Sequence, residues 1–256
     1  MLSWSELPQH PIIIAHRGAS ATAPENTLTA FSQAIECGVN AIELDVRLTN
    51  DNRVVVIHDS HLRRTTNGKG NVHESSLSEL KMYSAGSWFH KKYTDERIPT
   101  LTEVIELVHG RVGINIELKH EGSRREGNIL VEQTVKIVEQ YRAEQLVMFS
   151  SFNHALVQYA KILNKNIIRG ILFHTYCVPF YSPPKKLKEI SASFLICNKH
   201  LLRKRLIDVA HQHNIQTGIY TINTEESLTK ALRYGVDCIF TDDPKTILTC
   251  LKHSFR

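Results

Sequence analysis

Several carboxylates stand where packing has no use for them. Glu43 and Asp45 lie inside the apolar run 41–47 (AIELDVR), and Glu117 sits at the end of 112–118 (VGINIEL), followed by Lys119. An unpaired charge taken out of water costs several kcal/mol, so such groups need partners. In an extended chain residues two apart share a face. Glu43 therefore projects with Asp45, and Asn115 projects with Glu117 and Lys119. If both rows face one site, three carboxylates converge beside a lysine and repel one another unless something cationic lies among them. An all-oxygen ligand set favours a hard cation, Mg²⁺ or Ca²⁺, over zinc. Buried ion pairs with Arg17, Arg47 and Lys119 are the structural alternative.

Two of the 14 histidines fall in the same region. His16 closes the run 12–16 (IIIAH). His58 ends 53–58 (RVVVIH), which follows the polar stretch Leu48-Thr49-Asn50-Asp51-Asn52. Asn50-Asp51 reads as a two-residue hairpin loop, since both side chains tolerate positive φ. That loop sets Thr49 opposite Asn52, Asp45 opposite Val56 and Glu43 opposite His58. Two imidazoles beside a metal site can divide acid and base duties near neutral pH.

These residues require strands to carry them. Apolar, β-branched runs at 12–16, 41–47, 53–58, 112–118, 146–150, 167–172, 193–197, 216–221 and 238–241 read as strands. Helical patterns lie between most of them, among them 25–37, 127–141, 153–163, 200–213 and 224–234. Alternation of this kind over 256 residues predicts a closed parallel (β/α)₈ TIM barrel. With 53–58 returning as the second arm of a hairpin, eight strands remain for the barrel. Residues 59–100 then form an inserted subdomain, polar and turn-rich, with a short helical stretch near 76–83. The whole chain, 1–256, reads as one domain. In a parallel barrel function gathers at the strand C-termini, and here those ends are polar: His16-Arg17, Glu117-x-Lys119, Ser150-Ser151, Asn198, Thr221-x-Asn223 and Asp242.

Composition excludes other classes. The hydrophobic fraction of 42% and charged fraction of 22% are ordinary for a globular chain. No apolar run reaches the ~18 residues of a membrane span, and the N-terminus has no signal-peptide pattern. Five widely spaced cysteines (Cys37, Cys177, Cys197, Cys238 and Cys250) fit a reducing compartment, so a cytoplasmic protein without membrane insertion is expected. The net charge of +5 comes from residues 180–205, where seven basic residues face Glu189 alone. Without aromatic interleaving or a recognised module, that segment reads as solvated helix faces rather than a nucleic-acid site.

In order along the chain stand His16-Arg17-Gly18, Pro24-Glu25-Asn26-Thr27, Glu43-Leu44-Asp45, His58-Asp59 and Pro99-Thr100-Leu101-x-Glu103. Asn115-x-Glu117-x-Lys119, Ser151-Phe152 and Gly235-Val236-Asp237-x₃-Thr241-Asp242-x-Pro244 follow. This series, spanning about residues 12–247, resembles the glycerophosphodiester phosphodiesterase family. The resemblance implies a TIM-barrel hydrolase that uses a divalent cation, Mg²⁺ or Ca²⁺. Its substrates would be small glycerophosphodiesters such as glycerophosphocholine and glycerophosphoethanolamine, split to sn-glycerol 3-phosphate and an alcohol. It further implies that Glu43, Asp45 and Glu117 ligate the metal and that His16 and His58 are the catalytic pair. Arg17 and Lys119 would contact the phosphate, and Glu25 and Asn26 would shape the site. Tyr220 stands where many members carry Trp, keeping an aromatic wall with a polar tip. The nucleophile would be water or the glycerol 2-hydroxyl.

Two rivals accompany this reading. A lysophospholipase D would need an apolar groove, for which Tyr176-Cys177-Val178-Pro179-Phe180-Tyr181 is the candidate. A catalytically silent phosphodiester-binding barrel would be expected to lack a ligand or a histidine, and all five are present.

Overall fold

The computed structural model describes residues 4, 7, 11–173 and 183–254. The segment 176–181 lies outside them. Eight parallel strands close into a (β/α)₈ barrel: β1 Ile12–His16, β2 Ala41–Leu48, β4 Gly113–Leu118, β5 Val147–Ser151, β6 Ile168–Phe173, β7 Phe194–Asn198, β8 Gln216–Tyr220 and β9 Cys238–Thr241. β3 (Val54–Val56) pairs antiparallel with β2 outside the ring, and pairing of β1 with β2 completes the closure.

The helices follow local sequence rules. α1 (Leu28–Cys37) starts at Thr27, whose hydroxyl accepts from the Ala30 N–H, and stops at Gly38, φ +87°. Residues 25–27 thus belong to the preceding turn and not to a helix over 25–37. α2 (Leu77–Leu80) and α3 (Leu101–Val108) open with capping boxes at Ser76/Glu79 and Thr100/Glu103. α4 (Arg124–Gln140), α5 (His154–Leu163) and α6 (Pro183–Ile190) follow β4, β5 and β6. The helix expected over 200–213 is interrupted: a 3₁₀ turn, Lys199–Leu201, precedes α7 (Lys204–Gln212). Asn198 captures the His200 N–H, and Leu202 turns extended to bury its side chain. α8 (Glu225–Tyr234) and α9 (Pro244–Ser254) close the ring. Among the described residues no helix is long and apolar enough to cross a membrane. Among them, too, Cys37, Cys197, Cys238 and Cys250 form no disulfide.

Side chains of each strand alternate between two layers. Ile13, Ile42, Ile114, Phe149 and Ile239 point outward into the layer shared with the helices. Ile12, Ile14, Ala41, Met148, Phe194, Ile196 and Phe240 point inward and fill the lower barrel with Trp4. Continuing the inward rows toward the strand C-termini, the apolar series gives way to His16, Glu43, Asp45, Asn115, Glu117 and Ser150. The polar site therefore rests on an apolar floor.

The hairpin departs from its expected register. Val56 faces Val46 rather than Asp45, and Arg47 faces Val55. Its loop has three residues, Asn50-Asp51-Asn52: the Thr49 N–H donates to Arg53 O (3.0 Å), and the extra residue, Asn52, takes φ +57°. Polar side chains reinforce the longer loop, since the Arg53 N–H donates to Thr49 Oγ1 (2.8 Å) and the Leu77 N–H to Asp51 Oδ1 (3.0 Å). A one-residue slip exchanges strand faces, so His58 is not delivered by pairing opposite Glu43. The Ile57 N–H still donates to Asp45 O (2.9 Å), and the chain leaves the ladder after it, which frees His58 from the strand alternation. The excursion that follows has its own small core of Val55, Ile57, Leu62, Val72, Leu80, Ala85 and Ile98. It is tied back where the Val56 N–H donates to Pro99 O (2.7 Å).

Candidate active site

Cross-strand register stacks the chemistry in two layers. His16 pairs with Glu43 and Glu43 with Asn115; one step higher, Asp45 pairs with Glu117 and Glu117 with Ser150. One oxygen each of Glu43, Asp45 and Glu117 lies within 4.8 Å of the others, and all three residues are buried. Lys119 Nζ stands 2.7 Å from Glu117 Oε1 and 3.4 Å from Asp45 Oδ1. The first is a close ion pair; at the longer distance Asp45 Oδ1 is left without a hydrogen bond. Arg47, a possible partner for the cluster, turns away: it pairs with Glu121 at 2.9 Å and donates to His58 O at 2.7 Å.

Electrostatics separate the three acids. Burial pushes Glu43 well above the usual carboxylate range, and the charges of Asp45 and Glu117 push it further. Burial raises Glu117 as well, against the pull of Lys119. For Asp45 burial is outweighed by Lys119 and Arg17, and the carboxyl is held well below its ordinary value. The fold thus disfavours full ionisation of the cluster as it stands. Asp45 Oδ1 and Asn115 Oδ1, both buried, have no hydrogen-bond donor. Hard oxygen ligands, mutual repulsion and orphaned lone pairs together fit a divalent cation of the Mg²⁺ or Ca²⁺ type.

The loop after β1 wraps one side of this cluster. The Arg17 N–H donates to Glu43 Oε2 (2.9 Å), while its guanidinium bonds Glu25 Oε1 (2.7 Å) and lies 3.2 Å from Asp45 Oδ2. Asn26 donates to Asp45 Oδ2 at 2.9 Å. Arg17, Gly18 and Asn26 all adopt positive φ, which turns the chain tightly over the strand end. A Cβ at Gly18 would meet the Ala30 backbone carbon at 2.6 Å. Gly18→Ala is therefore expected to cost about 1–3 kcal/mol. A denaturation midpoint equal to that of the unmodified protein would show that the loop can relax.

Each histidine is held by a carboxylate. His16 Nδ1 lies 2.7 Å from Asp242 Oδ1, and His58 Nδ1 lies 2.6 Å from Asp59 Oδ1. Asp242 is in turn held by Asn223 Nδ2 (2.6 Å) and Ser20 Oγ (3.2 Å). Arg64 binds Asp59, through Nε at 2.7 Å and Nη2 at 2.9 Å. With Nδ1 committed as donor, Nε2 is the nitrogen left to exchange protons. Burial pushes His58 below its ordinary value, against the opposing charge of Asp45. Tyr220 pairs with Asn198 across β7 and β8, half-buried; burial and the charge of Glu117 push its phenol up. A cavity of about 530 Å³ opens beside Lys119, between the hairpin, the excursion and the β4–α4 loop, and is lined in part by His61, His73, His120, Glu121 and Glu126.

All ten residues singled out from the sequence lie at the C-terminal end of the barrel or on the loops that cover it. Asp59, Asp242 and Arg64 join them without having been assigned a role. Asp59 follows His58 directly and Asp242 ends a strand, so both carried a signal; Arg64, in a polar loop, carried none.

Known proteins share this architecture and sequence. The model of the glycerophosphoryl diester phosphodiesterase family matches residues 16–246. A protein of Caldanaerobacter subterraneus named glycerophosphodiester phosphodiesterase is 35% identical, over 94% of this chain and 98% of its own. A human protein named lysophospholipase D is 30% identical, over 94% of this chain and 86% of its own. The solved structure of an Oleispira antarctica phosphodiesterase in complex with the product sn-glycerol-3-phosphate is 32% identical. It superposes with a TM-score of 0.89 over 97% of this chain and 98% of that one.

Proposed function

The chain belongs to the glycerophosphoryl diester phosphodiesterase family, and from that premise we propose that it hydrolyses small glycerophosphodiesters, such as glycerophosphocholine and glycerophosphoethanolamine, to sn-glycerol 3-phosphate and an alcohol. One observation carries the proposal: three buried carboxylates within 4.8 Å, flanked by two histidines that each have a carboxylate on Nδ1. In this reading the chain works as one domain, with residues 59–100 as an insertion that supplies part of the site.

Glu43, Asp45 and Glu117 would hold one Mg²⁺ or Ca²⁺. A cation held there would supply charge to neutralise phosphoryl oxygens and draw electron density from phosphorus. Arg17 and Lys119 add fixed positive charge toward the phosphodiester, each kept in place by carboxylates of the same site. One histidine Nε2 takes the proton of the attacking hydroxyl, and the other gives a proton to the departing alkoxide. Asp242 and Asp59 fix the tautomers that make both transfers possible. Glu25 and Asn26 brace Arg17 and Asp45, and Tyr220 walls the opposite side.

The human relative's name favours a second reading, lysophospholipase D activity. Release of choline from glycerophosphocholine and from lysophosphatidylcholine, each assayed with Mg²⁺ and with Ca²⁺, decides between them. Turnover of the glycerophosphodiester at least about tenfold faster by kcat/KM is expected. Preference for the lysolipid would overturn the substrate assignment, and turnover of neither would overturn the function.

A further inference from the structure

We infer that Arg64 is a positioning residue for this hydrolysis: its guanidinium bridges Asp59 and Glu25 and so holds His58 and Arg17 in one arrangement across the seam between the β1 loop and the excursion. The inference rests on the proposed function and adds a residue to its machinery.

Arg64 makes four hydrogen bonds with two carboxylates. Nε and Nη2 reach Asp59 at 2.7 and 2.9 Å; Nη1 and Nη2 reach Glu25 at 2.7 and 2.8 Å. Beyond those carboxylates lie the working groups, His58 Nδ1 at 2.6 Å from Asp59 and Arg17 Nη1 at 2.7 Å from Glu25. Charges thus alternate along His58, Asp59, Arg64, Glu25 and Arg17. The planar fork of arginine serves two carboxylates in fixed directions, which the single ammonium of lysine does not.

Stability alone does not account for this arrangement. The Arg64 side chain is 43% exposed, so its removal opens no core cavity, and a half-exposed ion pair contributes little to folding. Its backbone is anchored independently: Leu62 is fully buried, and its N–H donates to Gly70 O at 3.0 Å. Glu25 retains Arg17 when Arg64 is lost. Asp59 retains only His58 and is free to rotate, taking the imidazole with it. The effect therefore runs mainly through Asp59. Misplacement of a catalytic group by about 1 Å can cost about 10²-fold.

The test is a mutant cycle on the full chain with glycerophosphocholine as substrate: Arg64→Gln, Arg64→Lys, Asp59→Asn and the double variant Asp59→Asn/Arg64→Gln. Arg64→Gln is expected to lower kcat by about 10–100-fold with a smaller change in KM, and Arg64→Lys to recover little of it. In the Asp59→Asn background, Arg64→Gln should cost less than about threefold more, since the path it acts through is already cut. A change under about twofold in Arg64→Gln, or the full loss repeated in the Asp59→Asn background, overturns the inference. Should the unmodified protein fail to turn over the diester, the proposed function falls while Arg64 remains testable. The ¹⁵N shifts of the His58 ring then report its tautomer: Nδ1-protonated in the unmodified protein and mixed in Arg64→Gln. Identical spectra would overturn the positioning role.

Discussion

Replacing His58 by alanine is expected to lower kcat by about 10²–10⁴-fold, the usual worth of a positioned acid or base. The barrel should remain folded, because the ring is only partly buried and no core cluster contains it. His16→Ala should do the same, and the double variant should lose little more than the worse single one, since both transfers belong to one displacement. The pH profile adds a signed check. His58 is pushed below its ordinary value of 6.5, so the limb of kcat/KM that reports it, the acid limb if it is the base and the alkaline limb if it is the acid, should be displaced to lower pH. Retention of more than about a tenth of kcat in either variant, with an unaltered profile, would remove that histidine from the chemistry.

Glu117→Gln is expected to weaken Mg²⁺ or Ca²⁺ binding by more than the roughly 10–100-fold that the outer partners of metal ligands are worth. The readout is calorimetric affinity and the rise of Tm with added cation. For a ligand bound only by the folded state, saturation at 100 times Kd stabilises by about 2.7 kcal/mol. The unmodified protein should show that rise and lose its activity on chelation; Glu117→Gln should show neither rise nor activity. Without cation, Glu117→Gln should change stability little, because relief of a buried carboxylate is offset by loss of its ion pair with Lys119 at 2.7 Å, which keeps Asp45 at 3.4 Å. Unchanged cation affinity would exclude Glu117 as a ligand, and activity surviving chelation would end the metal reading.

The strand-borne half of the site was legible because two facts about extended chains suffice: charges do not belong in buried apolar runs, and residues two apart share a face. Glu43, Asp45 and Glu117 follow from those alone. His58 was placed in the right region by a wrong route, since Asn52 at positive φ lengthens the hairpin loop by one residue and shifts the pairing. Loop length is a balance among Thr49, Asp51, Asn52 and the α2 N-terminus, which no local propensity expresses. The carboxylate behind His16 lies 226 residues away in sequence, and Arg64 meets Glu25 across 39. Such meetings are products of barrel closure and of how the excursion folds back. The break before α7 was equally hidden, because a side chain, Asn198, competes with the backbone for the His200 N–H.

The two histidines stand on parts of unequal endurance. His16 ends a barrel strand, whereas Asp59 and Arg64 ride on a segment whose apolar cluster is shared with β3 through Val55 and which is tied to the barrel at the hairpin, at Pro99, through ion pairs and by Phe89 and Tyr93 against Ala23 and Ala30. A unit of that kind can open on its own, at a free energy well below that of global unfolding. Amides of 57–98 should then exchange with solvent before those of the strands. Catalysis would fade on heating while the helical signal persists: the enzyme would be disarmed by a partial opening that leaves the three buried carboxylates in place.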